Sequence, residues 1–387
     1  MTQENFILKV HVLTKVLLGL FVSQNASARY YDLYRADYVK GPFCSVIAGA
    51  CATDLDFDSS FFQNPASLTA SGSNWDYDYD LIKGNNLEPG TKPGNDVSAS
   101  TFMGAVAFSG EKYGVGISLL KQTTKVSAIG ILSDDAAGGT AQFKTNTTAD
   151  IYQINVPFSY RVNSDLNIGI SLNAIFLSAD TNVSGSQGSA TYTAGQFGPS
   201  LGFALGAIYR LSPEFVIGGW FKNPMTFYTR QDITANSSFT KFSYSEDLAL
   251  HYPWLSAVGI GWTPWQDKNG VFFDLNYVGR TFDGYLLSYD NFAAAEANNR
   301  LTRKGRFGVI DPRLGARLPW YKGSTGTVSL GTYYEHSRWD SVDGLMHYTG
   351  GLAYLFPNFK FLMFDGVEIM LGADIAKNYQ TIFFTYR

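Results

Sequence analysis

The chain contains 387 residues, of which 45% are hydrophobic, 16% aromatic and 16% charged, and its formal net charge is −4. This composition excludes an intrinsically disordered chain, because such chains are poor in aromatic residues and rich in charge. The small negative charge argues against a nucleic-acid-binding protein, and two cysteines exclude a disulfide-dense scaffold. After residue 25 no apolar run approaches the ~18–20 residues of a transmembrane helix. Many aromatic residues and 39 glycines without such a helix are typical of a transmembrane β-barrel.

The first 28 residues predict a signal peptide. Lys9 and Lys15 precede an apolar run at 16–22, and Ala26 and Ala28 then form a small-residue cleavage site. A short buried helix is the alternative interpretation of this segment.

Cys44 and Cys51 are separated by six residues and are predicted to form a disulfide. An exported protein meets an oxidising compartment, in which such a pair closes a small loop. A metal site would need further ligands nearby, and the neighbouring sequence contains none. Two unpaired, buried thiols are the alternative.

Most of residues 97–387 alternate between apolar and polar side chains with the period of two that is typical of strands. In residues 150–161, for example, one face carries Tyr152, Ile154, Val156, Phe158 and Tyr160, and the other carries Gln153, Asn155, Ser159 and Arg161. The apolar face suits lipid and the polar face suits a barrel interior. The repetition predicts an all-β fold, a transmembrane antiparallel β-barrel of roughly 12–14 strands. A soluble β-sandwich is the alternative, although it predicts fewer aromatic residues and more charge.

The predicted connections alternate between short and long, as they do in outer-membrane barrels. Tight turns fall at 109–112, 162–165 and 211–214, and longer loops are predicted at 133–140, 184–190, 232–238 and 283–300. Aromatic residues near strand ends, such as Trp254, Trp262 and the pair Phe383 and Phe384, predict girdles at the membrane interfaces. The chain is therefore predicted to lie in the outer membrane of a Gram-negative bacterium.

Residues 43–68 resemble the start of the FadL-like outer-membrane family. The resemblance rests on the small residues Ala48-Gly49-Ala50 and on Asn64-Pro65-Ala66, which Ser67 and Leu68 follow. In that family this segment is a hatch that plugs the lumen, and the resemblance implies uptake of hydrophobic small molecules such as fatty acids. Independently of the family, Pro65 stops a helix or strand, and Asn64 can hydrogen-bond to its neighbouring backbone in a turn.

With this resemblance the chain divides into a signal peptide at 1–28, a small N-terminal hatch segment with the first strand at 29–96, and a transmembrane barrel at 97–387. Three features depart from the fatty-acid branch: the cysteine pair, the predicted mature start at Arg29, and the chain end Tyr386-Arg387. The cysteine pair and the predicted mature start are more similar to porin-like outer-membrane proteins of predatory bacteria. That similarity implies a homo-oligomer whose wall encloses lipid.

Catalytic and metal-binding residues are not predicted. The histidines, which are His11, His251, His336 and His347, are scattered without a partner at ligand or triad spacing. Asp54, Asp56 and Asp58 alternate, but three carboxylates are too few for calcium. We expect a solvated or lumenal acidic strip, no cofactor and no enzymatic activity.

Five charged residues fall on the predicted inner face, namely Asp274, Arg313, Arg317, Glu368 and Asp374. Charges that line a water-filled lumen tune ion selectivity. The equally weighted alternative is that these groups pair with one another and fill a closed barrel.

Three functions follow as hypotheses. The first is a porin-like outer-membrane barrel, a homo-oligomer that contacts outer-membrane lipids or lipopolysaccharide. The second is FadL-like uptake of a small hydrophobic ligand. The third is an adhesin or structural barrel without a pore.

Overall fold

The computed structural model describes residues 42–71, 74–86, 95–134, 139–185, 188–196, 198–237, 241–264, 269–279, 282–286, 308–320, 325–336, 344–361, 364–377 and 379–386. The predicted signal peptide and the predicted mature start at Arg29 lie outside these ranges and stay predictions.

The chain begins with short helical segments and continues as strands. The helical segments are α1 (Pro42–Ser45), α2 (Phe57–Phe62), a 3-10 turn (Pro65–Ser67) and α3 (Leu68–Ser71). The strands are β1 (Asn74–Asn86), β2 (Asn95–Ser109), β3 (Tyr113–Asp134), β4 (Gly139–Arg161), β5 (Leu166–Gly185), β6 (Gly188–Gln196), β7 (Ser200–Arg210), β8 (Phe215–Lys222), β9 (Met225–Ser237), β10 (Lys241–Tyr252), β11 (Leu255–Trp262), β12 (Gly270–Val278), β13 (Phe282–Leu286), β14 (Val309–Pro319), β15 (Gly326–Glu335), β16 (Leu345–Phe361), β17 (Phe364–Ala376) and β18 (Tyr379–Tyr386). Among the described residues, no helix is long and apolar enough to cross a membrane.

The strands form one closed antiparallel barrel. Around the described ring each strand pairs with the next in the order β1, β2, β3, β4, β5, β7, β8, β11, β12, β14, β15, β16, β17 and β18. The pairing of β18 with β1 closes the ring, which leaves no free sheet edge. This arrangement confirms the predicted all-β barrel of 12–14 strands.

Four further strands extend one side of the barrel beyond this ring. β6 pairs with the far half of β5 and with β9, β9 pairs with β10, and β10 pairs with β13. In sequence these four segments are continuations of β7, β8, β11 and β12, from which two or three residues separate them. The wall is therefore taller on this side, and it is interrupted where the ring meets its extension.

The alternation of faces agrees with the prediction wherever side chains are described on β4. Tyr152, Val156 and Phe158 are exposed on the outer surface, and Asn155 and Ser159 are buried inside. Every backbone group of a membrane-spanning strand must pair within the barrel, because the bilayer core contains no water. The apolar outer face is thus the lipid-facing surface.

Several predicted loops are strands in the structure. β3 and β4 stay paired up to Asp134 and Gly139, and β9 continues through residues 232–237. The polar residues at these tips satisfy their backbone groups with the neighbouring strand, so turn-forming composition was a poor guide to where strands end. Of the predicted loop at 283–300, the first residues belong to β13 and those after 286 lie outside the described ranges.

One predicted girdle residue is also placed differently. Phe383 points into the barrel and packs with Phe43 and Met370, whereas its neighbour Phe384 faces outward. Successive residues of a strand face opposite sides, so two adjacent aromatic residues cannot both belong to the outer girdle.

We expect Leu172→Asp to impair membrane assembly and Asn173→Asp to have a much smaller effect. Leu172 is 61% exposed on the lipid face and its neighbour Asn173 is 5% exposed on the inner face. A carboxylate at the first position enters hydrocarbon, where Arg or Lys costs about 2–4 kcal/mol and Asp costs less but is still unfavourable. The measurement is the heat-modifiable gel shift of membrane fractions, and equal effects would show that the face assignment is wrong.

Candidate functional site

The hatch, residues 42–71, lies inside the barrel. Its side chains are almost all buried, including those of Phe43, Ile47, Phe57 and Leu68. On one side Phe57, Phe61 and Phe62 pack with Met103 and Leu120 of the wall. This position is the one that the resemblance implied for a plug.

Inward-facing glycines of the wall make room for the hatch backbone. A Cβ at Gly169 would meet the backbone of Pro65 and Ala66, and one at Gly218 would meet the carbonyl of Ala52. A Cβ at Gly315 or Gly331 would likewise meet the backbone of Ile47 or Ala48. At the other wall glycines that face the hatch, a Cβ would meet hatch side chains: Gly114, Gly116, Gly206, Gly261, Gly351 and Gly372. These glycines form a belt at the level of the hatch, and we call them the glycine belt.

The Asn64-Pro65-Ala66 motif fastens the hatch to itself and to the wall. The Asn64 side chain accepts a hydrogen bond from the Ala66 N–H (3.1 Å) and donates to the carbonyls of Ala52 (2.7 Å) and Ala207 (3.2 Å). Pro65 begins the 3-10 turn, where its missing N–H leaves no unpaired group. The motif residues thus have a structural reason for their spacing.

Cys44 and Cys51 form a disulfide, as predicted, and it closes a loop inside the barrel. Ala48 and Gly49 at the tip of this loop have left-handed φ angles of 63° and 69°. The wall holds the tip, because the Ala48 N–H donates to Thr349 Oγ1 (3.1 Å) and Arg313 Nη1 donates to the Ala48 carbonyl (2.7 Å). Such anchoring offsets the strain of a left-handed alanine.

A buried ion pair joins the hatch to β14. Arg317 Nη1 lies 2.8 Å from Asp56 Oδ2 and 3.3 Å from Asp54 Oδ1, and its Nη2 donates to the Phe43 carbonyl (2.9 Å). Asp54 and Asp56 are fully buried inside the barrel, so that of the predicted solvated or lumenal acidic strip the solvated alternative is wrong for these two residues. The reason is that the countercharge comes from a strand more than 250 residues away. The side chain of Asp58 lies outside the described ones.

The other predicted lumenal charges lie on the inner wall and take part in contacts. Asp274 accepts a hydrogen bond from the Ala52 N–H (2.7 Å) and lies opposite Arg313 in the strand register. Asp374 accepts one from the Tyr333 hydroxyl (2.7 Å). Glu368 is half-buried near the opposite end of β17. A role of these charges in ion selectivity stays a prediction.

His347, for which the sequence predicted no partner, lies in this polar network. Its Nδ1 is 2.9 Å from Asp374 Oδ1, its Nε2 is 3.3 Å from Glu335 Oε2, and its ring stacks on Tyr333. The partners come from the two neighbouring strands, β15 and β17, so linear spacing could not reveal them.

The opposite side of the inner wall carries an apolar cluster that the sequence analysis missed. Ile151, Ile175, Leu177 and Phe227 are buried together, and Met225 packs against them. Along β4 the cluster lies just beyond Asn155 and Gln153, on the side away from the hatch contacts of Ser159. The available signal was Ile151, an apolar residue on the otherwise polar face of β4.

The wall beside this cluster has a gap in its hydrogen bonding. Lys222 pairs with Leu255 and Met225 pairs with Tyr252, so Pro224 and Pro253 face each other between them. Neither proline has an N–H to donate. On the outer surface at this level, ring contacts connect Phe203 to Phe221 (6.4 Å), Phe221 to Trp254 (6.0 Å) and Trp254 to Tyr277 (4.4 Å).

Solved structures share this fold. The chain is similar to the Pseudomonas putida toluene transporter TodX (12% identity, 94% of this chain and 98% of that one, TM-score 0.60). It is similar also to the CymD monoaromatic hydrocarbon channel (16% identity, 89% and 95%, TM-score 0.56) and to a Pseudomonas aeruginosa FadL homologue (11% identity, 90% and 97%, TM-score 0.62). No protein-family model and no curated protein sequence matches the chain. The fold is therefore that of FadL-like outer-membrane barrels.

Gly169→Ala is expected to destabilise the protein by about 1–3 kcal/mol, because the added Cβ forces the hatch backbone at Pro65 and Ala66 to move. Gly104→Ala is the matched control, since a Cβ there meets nothing within 4 Å. Urea unfolding midpoints in lipid vesicles measure both. Equal midpoints for the two variants would contradict the role of the glycine belt.

Arg317→Met should cost about 3–5 kcal/mol, because it leaves Asp54 and Asp56 buried without a countercharge. Adding Asp54→Asn and Asp56→Asn to this variant should restore much of the stability. Arg230→Met is the control, since Arg230 is 56% exposed and its contact with Asp232 is a surface pair of little value. The readout is the proteolytic accessibility of the hatch. If Arg317→Met leaves this accessibility unchanged, the ion pair of Arg317 with Asp54 and Asp56 does not hold the hatch in place.

Proposed function

We propose that this protein is an outer-membrane channel, without enzymatic activity, for uptake of small hydrophobic molecules. The observation that carries the proposal is the apolar cluster of Ile151, Ile175, Leu177 and Phe227 on the inner wall. Ligand sites for apolar molecules are buried, mostly apolar and equipped with few polar groups. Support also comes from solved structures of the same fold, which include a toluene transporter and a monoaromatic hydrocarbon channel.

The path past the hatch is obstructed. The hatch backbone touches the glycine belt, and the ion pair of Arg317 with Asp54 and Asp56 holds it. Displacing the hatch would break this buried ion pair, which is strongly unfavourable. A substrate therefore needs an exit that does not require hatch displacement.

The gap at Pro224 and Pro253 offers such an exit through the wall. It separates the inner apolar cluster from the outer row of aromatic rings at Phe221 and Trp254. Pro224 lies between β8 and β9, and Pro253 lies between β10 and β11. Because fewer backbone hydrogen bonds must break at this point, these two stretches of the wall separate more easily here than elsewhere. An apolar molecule that passes between them enters the bilayer, where it is favourably dissolved. The transport path is lateral in this proposal.

The porin-like interpretation is less well supported. An open pore requires a water-filled lumen, whereas Asp274, Arg313 and Arg317 are buried and bonded to the hatch. Asp374 is buried as well and is bonded to Tyr333 and His347. A homo-oligomer and contacts of the outer surface with lipid or lipopolysaccharide remain compatible with uptake, and native mass spectrometry in mild detergent would detect them.

Uptake is tested by Ile175→Asn, which places an amide in the apolar cluster. We expect binding of butylbenzene to the purified protein, and its entry into cells, to fall at least tenfold, because burying the amide among apolar groups is costly. Thr381→Asn, an inward-facing change on β18 outside the cluster, should leave both unchanged.

Planar-bilayer conductance distinguishes the two channel hypotheses. The proposal expects little ionic current from the wild-type protein together with butylbenzene binding. A large steady conductance without such binding would overturn it in favour of the porin-like barrel.

A further inference from the structure

Gln153 lies at the border between the polar wall and the apolar cluster. It faces inward on β4, is 3% exposed, and has Leu120 and Ile175 directly opposite it on the two neighbouring strands. Ile151, which belongs to the cluster, is the next inward residue on the same strand. The amide group of Gln153 therefore has apolar neighbours on the cluster side and polar neighbours on the other side.

A chain of hydrogen bonds orients this amide. Gln153 Nε2 donates to Asn155 Oδ1 (2.5 Å), and Asn155 Nδ2 donates to Ser118 Oγ (2.9 Å). The amino group of Gln153 is thereby directed toward the hatch side. Its carbonyl oxygen, Oε1, is buried and has no hydrogen-bond partner among the described residues.

Gln122 repeats this feature on the adjacent strand. It lies opposite Ile151, is 2% exposed, and its Oε1 is also buried without a hydrogen-bond partner in the described part of the chain. Buried polar atoms are nearly always bonded, so two unpaired acceptors beside one apolar cluster indicate a missing donor. A ligand that brings a donor would bond to a group which is otherwise costly to keep buried.

The donor that fits is an uncharged one. Described inward-facing residues of β2 to β5 around the cluster are apolar, hydroxyl-bearing or amide-bearing, and the charged Lys121 and Lys125 are exposed on the outer face. Lys222, inward-facing on β8, already has an interaction of its own. A carboxylate here would therefore be buried among apolar groups and would face two carbonyl oxygens, which repel it.

We propose that the apolar cluster binds hydrophobic molecules that carry one uncharged hydrogen-bond donor, as phenols and aliphatic alcohols do. Gln153 is the specificity-determining residue: its Oε1 accepts the ligand hydroxyl while Ile151, Ile175 and Phe227 contact the apolar body. Gln122 supplies the second acceptor. This assignment rests on the proposed function, since it concerns the substrate class of the same site.

The test compares four probes of similar shape on the full-length protein in detergent: butylbenzene, 4-butylphenol, 4-butylanisole and 4-butylbenzoate. Titration calorimetry should show that the phenol binds about 3- to 10-fold more tightly than the methyl ether, which lacks the donor, and that the benzoate binds more weakly than either. Gln153→Met, which keeps the length of the side chain, should bind the phenol and the methyl ether with equal affinity. Thr381→Val, an inward polar change outside the cluster, should preserve the preference.

The outcomes separate this inference from the proposed function. If wild type binds none of the probes, the uptake proposal itself fails. If it binds butylbenzene but binds phenol and ether equally, or if Gln153→Met keeps the preference, the uptake proposal stands and the assignment to Gln153 is wrong. Equal affinities for phenol and ether would mean that water, rather than the ligand, satisfies the carbonyl. If Gln153→Met fails to fold, Gln122→Met serves the same comparison and should reduce the preference.

Discussion

The rest of the structure depends on close contact between the hatch backbone and the barrel wall. Two pieces of main chain can approach this closely only where the wall carries no side chain, a requirement that Gly169, Gly218, Gly315 and Gly331 meet, and the other glycines of the belt leave room for hatch side chains. The contact leaves polar backbone groups of the hatch facing the wall, and each must find a partner away from water. Thr349, Asp274 and Arg313 of the wall supply such partners, and Asn64 of the hatch itself donates to the Ala52 carbonyl. The composition of the inner wall therefore follows from the presence of the hatch.

The charges of the barrel are arranged around the same requirement. Arg317 neutralises Asp54 and Asp56 inside the lumen, and Arg313 reaches the disulfide loop. Both arginines lie on β14, and the network of Tyr333, His347 and Asp374 continues on β15 to β17. The other half of the wall, from β2 to β5, carries the amides and the apolar cluster instead. The ion pair that holds the hatch therefore lies on a different strand from the apolar cluster, while β2 to β5 contact the hatch through Met103, Leu120 and Gly169.

This division explains why uptake of apolar molecules is the function that the structure supports best. A channel for ions or sugars needs a continuous aqueous path, and the hatch obstructs one. An apolar molecule needs only an apolar site and a route into lipid, and the paired prolines at 224 and 253 lie beside such a site. At the interruption of the wall the inward-facing positions also change, from even-numbered residues on β8 to odd-numbered residues on β9. This change brings Met225 and Phe227 to the cluster. The unpaired prolines and the position of Met225 and Phe227 in the apolar cluster thus both follow from the interruption between β8 and β9.

The sequence by itself determined the barrel, its two faces and the hatch. Period-two alternation identified lipid-facing residues such as Tyr152 and Phe158, because every strand of a membrane barrel meets the same two environments. Export context and spacing predicted the bond between Cys44 and Cys51, and Asn64-Pro65-Ala66 indicated the turn that anchors the hatch. Only the tertiary structure decided which groups meet inside: Asp54 with Arg317, His347 with Asp374, and Ile151 with Phe227. The physical reason is that inward-facing side chains from strands far apart in sequence converge in one confined space, and alternation specifies the face of a residue but not its neighbour across the lumen.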